Sequence, residues 1–313
     1  MIRLPRQFPL IAAGMDQTGL VLAKILSGQN KKIEAEVFFK PLPDGYYEPE
    51  FTRRNLADKN PFQETVAAGL RALKTDKTKR ISLVLPDSVS RVFLLDFEDI
   101  PSKSSDLESL LKHKVKKILP FDPDSAALSY RIAYKKTDMY AFLSGFMYRP
   151  VISQFEEYFE EIGINCGLID TRGNCLIGLY NMLHPSGESN RLYVFIDSDY
   201  MTLVAENDGE ISLYRGKSLA SSKRKDFIQR EILQSIVFLM DKTGAGSAPE
   251  TILLSNRSGV ELSKFKIGNK ESDLKCITDF NNDIRISFAA GSDKGIDKDL
   301  IFPVIGAAAR SME

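Results

Sequence analysis

Between Arg191 and Lys217 apolar and polar positions run in three short stretches joined by two turns, RLYVFIDSDYMTLVAENDGEISLYRGK. Leu192, Val194 and Ile196 alternate with Tyr193 and Phe195, and the run stops at Asp197. Met201 to Ala205 is the second run, after the turn Ser198-Asp199-Tyr200. Asn207-Asp208-Gly209 predicts a tight hairpin, because Asp-Gly accepts the left-handed backbone such a turn needs. Ile211, Leu213 and Tyr214 then give a third strand. The start of the chain shows the same pattern: Leu10 to Ala13 and Leu20 to Ile25 around Met15–Gly19, then Ile33 to Phe39 with Ile33, Ala35, Val37 and Phe39 on one face. Leu20-Val21-Leu22-Ala23 lines up with Thr202-Leu203-Val204-Ala205, which predicts a duplication at roughly half the chain length.

Between these two meanders the period changes. Residues 41–60 are rich in Pro, Gly, Tyr and charge and read as a loop. Asn60-Pro61 predicts a helix start, with Phe62, Val66, Leu70 and Leu73 on one face. Ile81 to Leu85 is a buried strand closed by Pro86-Asp87-Ser88, and Val89 to Phe97 is extended. Ser105-Asp106-Leu107-Glu108 reads as a capping box opening a helix that ends at Leu119, before Pro120. Strands at Ala127–Lys135 and Tyr140–Tyr148 flank a turn at Thr137-Asp138. A helix from Pro150 to Gly163, a strand at Asn165–Asp170 and a helix at Gly173–Leu183 follow. The order over 81–170 predicts a small α+β unit. Beyond the second meander, Ser221-Ser222-Lys223 leads into a long helix with Ile228, Ile232 and Ile236 as its stripe. Gly244-Ala245-Gly246-Ser247 reads as a linker and Thr251 to Leu254 as a strand. Gly259 to Phe265 reads as a helix, 266–300 as at most two strands (Leu274–Ile277, Ile284–Phe288), and Phe302 to Met312 as the last helix.

Composition narrows the function classes. With 313 residues the chain is long enough for two cores. Its 42 basic and 42 acidic side chains cancel, so no global field favours nucleic acid or a membrane surface. Three cysteines without a CxxC pair argue against a disulfide framework and for reduced thiols, as in the cytosol. Cys166 and Cys175 read as small core residues. Two histidines exclude a His-rich metal site and leave no partner set for a His-dependent triad. No apolar run is long enough to span a bilayer. His113-Lys114-Val115-Lys116-Lys117 reads as basic residues favouring a helix C-terminus, and Pro120-Phe121 as a structural corner.

An apolar strand ending in Asp, a short turn and a Thr-bearing strand resembles the phosphate hairpin of actin-like and sugar-kinase-like ATPases. There backbone N–H groups of a Gly-rich turn face phosphate, and the Asp helps hold metal and water. The resemblance makes Asp16, Thr18, Asp197, Ser198 and Thr202 the candidate nucleotide-binding residues, with no catalytic or metal-ligating residue assigned.

Longer stretches are similar to the PilM family of type IV pilus assembly proteins. They are Val84-Leu85-Pro86-Asp87-Ser88-Val89, Lys117-Ile118-Leu119-Pro120-Phe121, Leu128-Ser129-Tyr130, the Gly163–Asp170 run, Phe195-Ile196-Asp197, Tyr214-Arg215-Gly216 and Ile305-Gly306-Ala307-Ala308-Ala309-Arg310. The resemblance implies an α/β, actin-like (ribonuclease H-like) two-lobed fold with a small α+β subdomain inserted in the first lobe. Residues 1–87 would form the first part of lobe 1, 88–162 the insert, 163–189 the rest of lobe 1, and 190–313 lobe 2. It also implies a cytoplasmic protein, held at the inner membrane through its partner, the short cytoplasmic N-terminal tail of a PilN-like bitopic membrane protein. An extended peptide could lie between the first lobe and the insert. The resemblance admits a ring homo-oligomer and brings no nucleic acid. The related GspL family continues into a membrane span, which this sequence lacks after its last helix.

The departures fall on the loops. Gly14-Met15-Asp16-Gln17-Thr18-Gly19 lacks the family's following Lys, Ser198-Asp199 stand where the second turn has Gly, and Ser255-Asn256-Arg257-Ser258 replaces a glycine-rich adenosine loop. Each lost glycine puts a Cβ where backbone must approach a ligand, and Asp199 adds charge that repels phosphate. The expectation is a non-enzymatic interaction protein with degenerate nucleotide loops and no resident cofactor. ATP with magnesium serving a working switch, and a sugar-kinase-type phosphotransferase, are the alternatives.

Overall fold

A computed structural model describes residues 8–29, 31–136, 139–185, 190–219, 224–243, 248–262, 264–267, 270–273, 275–276, 280–293 and 295–312. The expected turn at Thr137-Asp138, the lead-in Ser221-Ser222-Lys223 and the linker Gly244–Ser247 lie outside them, as do Leu274 and Ile277.

In chain order the elements are β1 (Ile11–Asp16), β2 (Gly19–Gln29), β3 (Lys32–Pro41), α1 (Asn60–Ala72), β4 (Arg80–Leu85), β5 (Ser90–Phe97), α2 (Ser104–Val115), β6 (Ala126–Lys136), β7 (Met139–Tyr148), α3 (Arg149–Glu161), β8 (Asn165–Thr171) and α4 (Arg172–Leu183). They continue with β9 (Asn190–Ile196), β10 (Tyr200–Asn207), β11 (Glu210–Ser218), α5 (Arg224–Thr243), β12 (Glu250–Asn256), β13 (Lys264–Ile267), β14 (Lys270–Asp273), β15 (Lys275–Cys276), β16 (Ile284–Phe288) and α6 (Lys298–Ala309).

The chain divides into two compact units, one of residues 1–86, 150–185 and 279–313, the other of residues 87–149 and 186–278. The first is built on a six-stranded sheet ordered β16-β3-β2-β1-β4-β8. β1, β2 and β3 form the expected antiparallel meander, and β4 and β8 add in parallel. The core strands β1 and β4 are apolar on both faces, as strands covered on two sides must be. On α1, Phe62, Val66 and Leu70 are buried as their spacing predicts. Phe62 meets Phe155 and Phe159 of α3 edge-on, with ring centroids 5.9 and 5.0 Å apart. That contact places α3 in this unit, whereas the sequence reading gave it to the insert.

The second unit repeats the plan. Its five-stranded sheet is ordered β11-β10-β9-β12-β15, again an antiparallel three-strand meander with parallel strands added beside its first strand. The series 3-2-1-4-5 thus occurs twice, which is the duplication the sequence hinted at. Asp208 and Gly209 both take positive φ, 51° and 83°, at the β10–β11 turn. Ile228, Ile232 and Ile236 of α5 are buried with Leu192, Val194 and Leu203 in one core. A three-stranded sheet, β5-β7-β6, carries the inserted segment, and β11 lies against β5 and β6.

Several expectations differ from this. Residues 280–312 do not join the second sheet: β16 pairs in parallel with β3 and α6 packs on β1, β2 and β4. The sequence could not show this, because a parallel partner 250 residues away leaves no local signal. Among the described residues of 259–265 there is no helix. Asn256 instead holds a tight loop, and β13 and β14 then pair as a hairpin. Ser105 sits inside α2 and bonds Asp106, so the capping box is not made. Lys59, not Asn60, precedes α1.

Candidate functional site

Each unit carries a hairpin with Asp at the end of its first strand or directly after it: Asp16 in the first and Asp197 in the second. In the first, Asp16 accepts from Thr18 N at 2.7 Å, from Thr18 Oγ1 at 2.5 Å and from Gly19 N at 3.3 Å, all on Oδ1. The turn amides therefore bond the turn's own carboxylate, as Asx turns do. A Cβ on Gly19 would stand 2.6 Å from Lys40 O, so the turn needs glycine there. Asp16 is 6% exposed. Its Oδ2 faces Nη2 of Arg172 at 3.7 Å. Arg172, 2% exposed at the start of α4, also donates to Met15 O at 2.8 Å. Beside it Asp170 accepts from Thr171 N and Asn174 Nδ2 and pairs with Arg310 at 2.6 Å, tying the end of α6 to α4.

In the second unit Asp197 is 5% exposed. Its N–H donates to Tyr200 O at 2.8 Å, and its Oδ1 accepts from Ser198 N at 2.9 Å and from Arg257 Nη1 at 3.2 Å. Arg257 is held by its own amide, which donates to Ile196 O at 2.8 Å. The loop around it closes on itself: Asn256 Oδ1 accepts from Ser258 N and Oγ, and Asn256 Nδ2 donates to Val260 O. Thr202 points elsewhere. Its Oγ1 donates to Asp87 Oδ1 at 3.2 Å, with both residues buried, so it braces the root of the inserted segment. Tyr200 covers Gly216, and the Arg91 guanidinium lies 5.7 Å from its ring centroid. Burial pushes the Tyr200 phenol above its ordinary value, and nearby Arg91 opposes the shift.

The candidate residues therefore separate. Asp16 and Thr18 share one turn, and Asp197 and Ser198 share the other. Thr202 stands apart from the second turn. Sequence reasoning missed Arg172 as a counter-charge, although a buried strand-end Asp calls for one and Arg172 directly follows the strand that carries Asp170. Among the described residues no group of three or more His, Cys, Asp or Glu side chains is arranged to hold a metal ion. The other singled-out residues serve local structure. Lys114 donates to Asp96 O at 3.1 Å. Phe121 stacks on Tyr148 at 4.7 Å, and Arg215 Nη1 donates to Ser235 Oγ. Burial pushes the Cys166 thiol up to about 12, which leaves it protonated and unreactive at neutral pH.

No family model matches the chain. No curated protein matches it by sequence. Solved structures do. The PilM–PilN type IV pilus biogenesis complex matches over 99% of this chain and 100% of that one, with a TM-score of 0.67 at 12% identity. A Bacteroides thetaiotaomicron protein with an actin-like ATPase fold covers 97% and 98% (TM-score 0.44, 10% identity). The cytoplasmic domain of EpsL from the Vibrio cholerae type II secretion system covers 96% and 93% (TM-score 0.44, 9% identity). Two copies of one five-strand plan and a full-length likeness to the pilus biogenesis structure give the chain the actin-like fold.

Proposed function

We propose that this chain is a non-catalytic, actin-like component of a type IV pilus assembly platform, and that it binds the short cytoplasmic N-terminal tail of a PilN-like membrane protein. The observation that carries the reading is the full-length likeness to a structure containing PilM with PilN. The two Asp-ended turns support its non-catalytic part. Each carboxylate already faces a guanidinium, and turn amides that would face phosphate in a working hairpin bond a side chain instead. In this reading the protein sits at the inner membrane through its partner, and its nucleotide loops are vestigial. The test is retention of the purified chain by immobilised N-terminal tails of bitopic membrane proteins encoded beside it. One tail should retain it at micromolar affinity, and retention by none would remove the reading.

A further inference from the structure

One end of the first unit's sheet carries a charge that the whole-chain balance hides. The register Asp16↔Gly19 sets the turn end of β1 and β2, and Ile11↔Lys24 sets the opposite end. The connection from α1 to β4 lies at that opposite end, because Lys24 Nζ donates to Leu73 O at 3.1 Å. Arg71 to Arg80, RALKTDKTKR, holds five basic residues against one acidic in a chain whose net charge is zero. Lys24, Lys74, Lys77, Thr75, Thr78 and Asp76 line an open surface hollow there. Lys31 and Lys32 follow at the β2–β3 turn of the same end. Opposing charge is present but outnumbered: Asp76 lines the hollow, Glu36 stands opposite Lys24 in the β2–β3 register, and Glu34 is paired with Arg285.

Exposed aliphatic groups lie at the same end of the sheet. Leu10, 60% exposed, precedes β1, and its carbonyl accepts from Ile25 N. Leu26, 51% exposed, is thrown outward where the β2–β3 register shifts between Ile25 and Ser27. Met312 covers Gly28 and is itself part-exposed. Basic and protruding aliphatic side chains at one end of a sheet fit a surface that is anionic outside and apolar beneath. Lysine near an anionic bilayer contributes about 1 kcal/mol each, and an aliphatic side chain adds area buried below the headgroups.

We propose that this end of the first unit docks directly on an anionic lipid bilayer, with Lys24, Lys74 and Lys77 on lipid phosphates and Leu10 and Leu26 in the interface. This contact is independent of any peptide tail. The full chain is tested by flotation with phosphatidylethanolamine vesicles, with and without phosphatidylglycerol. Binding should need phosphatidylglycerol and weaken as salt rises. Lys74→Asn with Lys77→Gln should weaken it about 30-fold, the effect of two lysines at about 1 kcal/mol each. Asparagine suits the positive φ of 54° at Lys74, so the fold is kept. Leu26→Ser should reduce the salt-resistant remainder about tenfold. Circular dichroism and thermal melting of each variant check folding. Equal flotation on both vesicle types, equal flotation of the folded lysine variant, or absence of flotation would each overturn the proposal. So would inorganic phosphate bound in the lysine hollow without flotation.

Discussion

Arg172 meets Asp16 inside the first unit, 3.7 Å from guanidinium to carboxylate, with both side chains almost out of solvent. The carboxylate accepts three hydrogen bonds within its own turn, but none brings a full positive charge. Arg172→Ala should therefore leave a buried charge unbalanced and cost about 3 kcal/mol, the low end for a broken buried pair. Asp16→Asn on the Arg172→Ala background should recover part of the loss, because an amide needs no counter-ion. Urea unfolding of the two single variants and the double closes the cycle. A coupling energy near zero would show that Arg172 acts through contacts other than Asp16, such as its bond to Met15 O.

Charge at the second Asp-bearing turn bears on what ATP does. A ligand binding at micromolar affinity and supplied at millimolar concentration stabilises the native state by about 4 kcal/mol. Asp197 already faces Arg257, and Asp199 adds a carboxylate to the same turn. ATP with magnesium at millimolar concentration should therefore leave the melting temperature unchanged. Asp199→Gly, which removes a charge and a Cβ, is the variant most apt to gain a shift. A large ATP-dependent shift in the unaltered chain, lost on Asp197→Ala, would restore the nucleotide switch.

Gly306 tests how closely the C-terminal helix docks. A Cβ there would stand 2.4 Å from Cys175 O, a backbone atom of α4 that cannot swing aside. Alanine is favoured over glycine inside a helix by about 1 kcal/mol, and overpacking costs about 1–3 kcal/mol. The helix must shift as a body, so the cost falls in the upper part of that range, and Gly306→Ala should destabilise by about 1–2 kcal/mol net. Gly178→Ala, whose new Cβ would only reach the Arg310 side chain at 4.0 Å, should be neutral or stabilising. Thermal melts of the pair separate crowding from propensity.

Much of the fold was legible because it is local. Alternation gave both meanders, Asp208-Gly209 gave its turn, and the isoleucine stripe of α5 gave its buried face. The repeat was legible only to within a residue. Asp16 pairs with Gly19 and Asp197 bonds Tyr200, so Leu20 corresponds to Met201, one place from the Leu20–Thr202 match the letters suggest. The Thr202 hydroxyl bonds Asp87, 115 residues back in the chain, a partner no local pattern announces. Partners set by tertiary contact, such as Arg172 for Asp16 and β3 for β16, leave no periodic trace. The basic end of the first unit stayed hidden because its lysines come from strand β2, the β2–β3 turn and the α1–β4 connection, which only the fold brings to one end.

Alkaline pH probes the loop that precedes α1. Tyr46 donates to Asp58 O and accepts from Phe62 N at 3.1 Å, fixing the loop against the helix start. Burial pushes its phenol up to about 12, and the charge of Asp58 adds to the shift. Above pH about 10 the unfolded chain loses this proton while the folded chain keeps it. Stability should therefore be unaffected by this group below pH 10 and fall as pH rises from about 10 towards 12. Two full units would represent roughly 3 kcal/mol; the effect should be smaller, because the hydroxyl is only part-buried and is screened by solvent. Tyr134 and Cys166, also pushed up to about 12, add to the decline. Tyr46→Phe should lose about 1–2 kcal/mol at neutral pH, where two hydrogen bonds are gone, and should lose less than the unaltered chain between pH 10 and 12. Denaturant midpoints measured across pH 8 to about 12 would show the two curves converging; parallel curves would mean that Tyr46 does not titrate differently in the folded state.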